Sequence, residues 1–109
     1  MDPQIIFENK DFLVLNKPAG LLVHPKINYT NSKEQTLVNW LTKNYPQIKN
    51  VGDNPKIRPG IVHRLDKETS GVMIIAKNQN SFEFFKNIFK QRLIEKTYLA
   101  LVVGKMNNK

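Results

Sequence analysis

The stretch GIVHRLDKETSGVMIIAK, residues 60–77, sets the strongest condition on how this chain can fold. Its two apolar runs, residues 61–62 and 72–76, read as strand segments. Between them stand His63, Arg64 and Asp66, and Thr69-Ser70-Gly71 then turns the chain. Ionisable groups caught between two strands sit on a loop held by a sheet, where reactive side chains concentrate. The expectation is a strand over 61–64, a charged turn, and a second strand over 72–77.

The remaining pattern supplies the sheet and its helices. Residues 5–8 and 12–15 flank the polar Asn9-Lys10-Asp11 and read as a β-hairpin. Pro18 has no N–H to give a ladder and breaks the second strand. Residues 21–23 form a short extension closed by His24-Pro25. From Thr36 the period becomes helical: Leu37, Val38, Trp40, Leu41 and Tyr45 share a face, Thr36 can cap it, and Pro46 ends it. Residues 46–60, with three prolines and two glycines, read as a long loop. Asn80-Ser81-Phe82-Glu83 has capping-box spacing with Glu83 at the third helical position. Phe82, Phe84, Phe85, Ile88 and Phe89 then fill half of that helix's circumference. Residues 96–103 read as a last strand. The order ββ, helix, ββ, helix, β argues an α+β fold with a mainly antiparallel mixed sheet and two helices.

That last strand is apolar on both faces, which suits the interior of a sheet. Nothing after Val103 could cover it. Either the strand inserts centrally in the sheet, or residues 1–109 are the N-terminal part of a longer domain; left uncovered, the strand would favour self-association.

Composition narrows the partners. A chain of 109 residues makes one small domain. It has no cysteine, which excludes disulfides and thiolate metal sites and fits a reducing compartment. No apolar run reaches membrane-spanning length, and MDPQIIFENKD lacks the features of a secretory signal, so the chain reads as cytoplasmic. The net charge of +8, from 17 Lys and Arg against 9 Asp and Glu, favours a polyanionic partner, most simply nucleic acid.

Each polar candidate has two readings. Asp66 could act as a nucleophile or general base, or it could cap its own turn by accepting from backbone N–H groups. Arg64 could pair with Asp66, bind phosphate or stack on a base. His63 and His24 read as hydrogen-bonded structural residues. Two histidines and an aspartate at these separations do not match a zinc site, so no metal is expected. Ser70 is not set in a G-x-S-x-G elbow, and the glycines form no phosphate-cradling loop. Tyr98 is either a packed core tyrosine or a platform for a stacked base. A hydrolase using Asp66 would need a second carboxylate, and Glu68 is the near neighbour in sequence.

Three segments in order carry a resemblance. HRLDKETSG at 63–71 resembles the signature of the RluA-type pseudouridine synthases, which convert uridine to pseudouridine in RNA. LNKPAGLLVHP at 15–25 resembles that family's first motif, and EKTYLALVVG at 95–104 its tyrosine-bearing strand. RPGI at 58–61 resembles the branch that modifies large-subunit ribosomal RNA. The resemblance implies that Asp66 is the catalytic aspartate and Tyr98 the tyrosine that packs against the target base. It implies that Arg64 enters the RNA stack as the uridine flips out. Lys17 and Pro18 would shape the floor of the site, with Lys17 binding RNA alongside Arg64, and His63, Thr69, Ser70 and Gly71 would support it. RNA is the implied partner, ribosomal rather than transfer RNA, with no metal, no cofactor and no membrane. No S4-type RNA-binding domain precedes the first motif, and the family's later catalytic-domain motifs have no match here. The competing reading is a basic RNA-binding module that keeps the motifs without the rest of the site.

Overall fold

The computed structural model describes residues 2–24 and 35–91. The chain begins with a hairpin of β1, Gln4–Glu8, and β2, Phe12–Lys17. Asn9 sets the turn: its side-chain oxygen accepts from the backbone N–H groups of Asp11 and Phe12, both at 2.9 Å. A bulge between Ile5 and Phe7 shifts the register, so Ile5 lies opposite Leu15 while Phe7 lies opposite Val14. β3, Gly71–Ala76, pairs with β2 from Lys17 opposite Gly71 to Phe12 opposite Ala76. The three strands are antiparallel in the order β1-β2-β3.

Alternation along these strands decides what covers each face. Leu13, Leu15, Met73 and Ile75 are fully buried on one side. The chain between β2 and β3 folds over them and supplies Leu21, Val23, Leu37, Leu41, Ile48 and Leu65 to the same core. Within it, α1 runs Leu37–Asn44, and the Thr36 hydroxyl caps it by accepting from the Asn39 N–H at 3.1 Å. On the opposite side α2, Gln79–Lys90, sets Phe85 edge-on to Phe12, with 5.1 Å between ring centroids. This is the expected α+β architecture with two α-helices on a mainly antiparallel sheet.

Three local expectations are corrected. The 46–60 segment is not all loop, because Pro46–Asn50 forms a 3-10 helix that buries Ile48. Pro46 ends α1 and starts this turn, where its missing N–H costs nothing. The second helix starts two residues earlier than capping-box spacing suggested. Asn78 is its N-cap, accepting from the Ser81 N–H at 2.8 Å, because Asp11 in the hairpin turn holds both Asn78 and Ser81. Of its five apolar side chains only Phe82 is buried, and Phe84 is 59% exposed.

The third correction concerns residues 61–64, which are not a strand. Ile61 makes one isolated bridge to Ile75. One residue further along β3, the Ile74 N–H is satisfied by the Nε2 atom of His63 at 3.0 Å instead of by a backbone carbonyl. The chain departs from the sheet at Gly60, whose φ is +72° and whose missing Cβ would lie 2.7 Å from the Ala76 carbonyl oxygen. The expected strand over 96–103 lies outside the described residues.

An ionic cluster ties the hairpin to the end of β3. Lys77 contacts Glu8 at 2.5 Å, and the Tyr45 hydroxyl donates to the other Glu8 oxygen at 3.0 Å. These two bonds hold the Glu8 carboxyl below its ordinary value of 4.5. A depressed folded-state pKa means that the unfolded chain binds more protons across that window, so stability falls as pH drops through it. Glu8→Gln is therefore expected to flatten the acid limb of the stability curve below about pH 4.5. Urea midpoints from pH 3 to 7 test this, and an unchanged acid limb would deny the cluster its role.

Candidate active site

Residues 63–71 enter the core at one point only, Leu65. Leu65 is buried, and its neighbours Arg64 and Asp66 are exposed on either side of it. An extended chain turns successive side chains to opposite sides, so burying Leu65 presents both charged groups outward. The turn that follows is closed by backbone, with the Thr69 N–H donating to the Asp66 carbonyl at 3.0 Å. The Asp66 carboxylate accepts no hydrogen bond from any described residue. It is not a cap for its own turn. Gly71 lets Leu65 approach β3 closely, since an added Cβ would stand 3.2 Å from a Leu65 methyl.

Lys17 is the fastening beneath this turn. It follows Leu13 and Leu15 on the buried face and is itself completely buried. Its ammonium donates to the carbonyls of Pro18 at 2.9 Å, Leu21 at 2.7 Å and Lys67 at 3.0 Å. The Lys67 carbonyl also accepts from the Gly20 N–H at 2.7 Å. The residue after Asp66 is thereby bound to the turn that follows β2. Burial pushes the Lys17 pKa down, while the Glu68 and Asp66 carboxylates pull it up. All three ammonium donors are used, and the side chain has no surface left for RNA. The expected RNA contact of Lys17 is corrected to an internal one, and the expectation that Lys17 and Pro18 shape the site's floor fits this placement.

The residues expected to support the site, His63, Thr69, Ser70 and Gly71, hold the chain by different means. His63 spans the gap beside β3 and stacks on Phe89 at 4.5 Å. His63→Phe would keep a ring there and leave the Ile74 N–H without its acceptor, for an expected loss of about 1–2 kcal/mol. A urea midpoint equal to that of the unaltered chain would reject this role. Thr69 contributes a backbone bond, and Ser70 is an exposed link to β3.

Arg64 does not pair with Asp66. Its guanidinium lies 3.0 Å from His24 Nε2, and since guanidinium only donates, that nitrogen is the acceptor. Sequence reasoning placed His24 in the structure without this partner, because nothing in the spacing connects residues 24 and 64. The pair stands between two clefts. One, of about 330 Å³, is lined by Asp66, Arg64 and Lys67 over Leu22 and Val23. The other, of about 500 Å³, lies beyond Arg64 and His24 and reaches Arg58 and Lys86. An exposed carboxylate and an exposed guanidinium at one cleft can hold a nucleotide by its phosphate and act on its sugar. Tyr98, expected to pack against the base, lies outside the described residues.

Comparisons with known proteins agree with the motifs. The family described as RNA pseudouridylate synthase matches residues 11–109. Ribosomal large subunit pseudouridine synthase D of Borreliella burgdorferi is 45% identical over 104 residues, which is 95% of this chain and 31% of that protein. An uncharacterised RNA pseudouridine synthase of Aquifex aeolicus is 47% identical over 100 residues, 92% of this chain and 30% of its own. Among solved structures, human RNA pseudouridylate synthase domain containing 4 superposes with a TM-score of 0.58 at 28% identity, covering 83% of this chain and 30% of that one. The chain thus spans about a third of the length of the curated relatives it matches. With a family match running from the first hairpin to the last residue, the chain belongs to the RNA pseudouridylate synthases, as its resemblance to the RluA-type members implied.

Proposed function

We propose that this chain carries the aspartate-bearing part of a synthase that isomerises uridine to pseudouridine in large-subunit ribosomal RNA, in the cytoplasm. The observation that carries the reading is the Asp66 carboxylate, exposed in a cleft and bonded to no described residue, on a turn that Lys17 and Gly20 fasten from below. The positive charge of the chain favours RNA over a free nucleoside.

The chemistry requires access to the uridine C1′ atom, which is shielded in a paired stem. Flipping the nucleotide out gives that access at a cost of a few kcal/mol. Arg64 releases His24, fills the vacated place in the stack and pairs with phosphate. Asp66 then attacks C1′ or removes the C2′ proton. Either step breaks the C1′–N1 bond and the uracil rotates; C5 then bonds to C1′, displacing the Asp66 ester or accompanied by return of the proton to C2′, and the C5 hydrogen leaves to water as N1 takes up a proton. No metal, cofactor or ATP enters these steps. Tyr98 supports the base in this reading.

The net charge of +8 supports a second reading as well, a basic module that binds RNA without turnover. Tritium release from RNA carrying 5-tritiated uridine separates the two, with large-subunit ribosomal RNA and transfer RNA as parallel substrates. Release from ribosomal RNA is the expected result. A folded chain that binds RNA and releases nothing would leave the binding module.

A further inference from the structure

We propose that the cleft beyond the Arg64–His24 pair is a second RNA-phosphate site, which holds the strand next to the flipped nucleotide through Arg58 and Lys86. The proposal rests on the reading of Asp66 as the reacting group, because it places the substrate on both sides of one wall. Arg64 and His24 line both clefts, so a strand that leaves the Asp66 side crosses directly into the larger one.

The lining fits a polyanion. Arg58 is exposed, and its guanidinium has no partner among the described residues. It comes from the irregular segment after the 3-10 helix, where Arg58 N–H bonds to the Asn54 carbonyl at 2.9 Å and sets the turn. Lys86 projects from α2 on the facing side. The acidic group in the lining, Asp53, is occupied by Lys86 at 2.7 Å. Both members of that pair are about half exposed, so the bond is worth little and a phosphate can replace the carboxylate. Beneath the charges, Ile57 and Ile61 give an apolar floor that suits a ribose or base edge. Charge at the rim over an apolar floor is the arrangement by which single strands are held without reading sequence.

The test is the salt dependence of RNA binding by the full chain, using a fluorescent single-stranded RNA. Arg58→Gln is expected to make the slope of log affinity against log salt shallower by about 0.7, the value of one lost phosphate contact on a single strand. Lys43→Gln, the same charge change on α1, controls for net charge. Asp53→Asn is expected to tighten binding, because it frees Lys86 and removes the rim's negative charge. A merely structural Asp53–Lys86 bond would not give that result. If Arg58→Gln and Lys43→Gln shift the slope equally, or Asp53→Asn weakens binding, the second site is overturned. Failure of the synthase reading would appear separately, as bound RNA that releases no tritium while the Arg58 slope still changes.

Discussion

Asp66→Asn is expected to lower tritium release by at least about a thousandfold and to leave the thermal midpoint where it was. The substitution keeps the shape of the side chain and removes its charge and basicity. In this fold that change is unusually clean. The turn is closed by the Asp66 carbonyl, not by its carboxylate, and the carboxylate bonds to no described residue. A loss of activity would therefore report chemistry and not folding. Glu68→Gln is the matching control. Glu68 is also exposed, two residues further along the same turn, and it shares with Asp66 a weak pull on Lys17. It is expected to retain most activity. Equal losses in the two variants would point instead to a two-carboxylate hydrolytic arrangement, and loss in neither would remove Asp66 from the reaction.

Much of the frame that presents Asp66 was legible in the residue pattern. The hairpin, the Thr36 cap, the Pro46 stop and β3 each announce themselves within a few residues. Their signals are local: a polar turn between apolar runs, a hydroxyl before a helical face, a missing N–H. What escaped detection depends on partners distant in the chain. Residues 61–64 open with an apolar run like a strand, yet the steric demand at Gly60 and the His63 ring replace the ladder after a single bridge. Asn78 outcompetes the later cap because Asp11, far back in the hairpin, holds it. Arg64 and Asp66 look paired from their spacing, but Arg64 pairs instead with His24, 40 residues back in the chain. The family was readable from the three motifs, whereas the fastening of the turn that bears Asp66 was not.

Lys17 shows why, and it carries the largest expected effect on stability. A lysine in a basic chain reads as a surface charge for a polyanion. In the folded chain it occupies the third buried position of β2, after Leu13 and Leu15, and spends its three donors on three carbonyls. Lys17→Met keeps the length and apolar stem and strands those carbonyls, for an expected loss of about 3 kcal/mol by urea denaturation. The relief of no longer burying a charge keeps the loss from being larger. Lys17→Arg is expected to do no better, because a planar fork cannot meet three carbonyls arranged around a compact ammonium. Conditions that keep Lys17→Met folded should still show reduced release, because the Lys67 carbonyl loses its ammonium partner and the turn bearing Asp66 loosens. RNA affinity and its salt slope should not change. If stability holds and the salt slope becomes shallower, Lys17 reaches RNA after all, and the internal assignment fails.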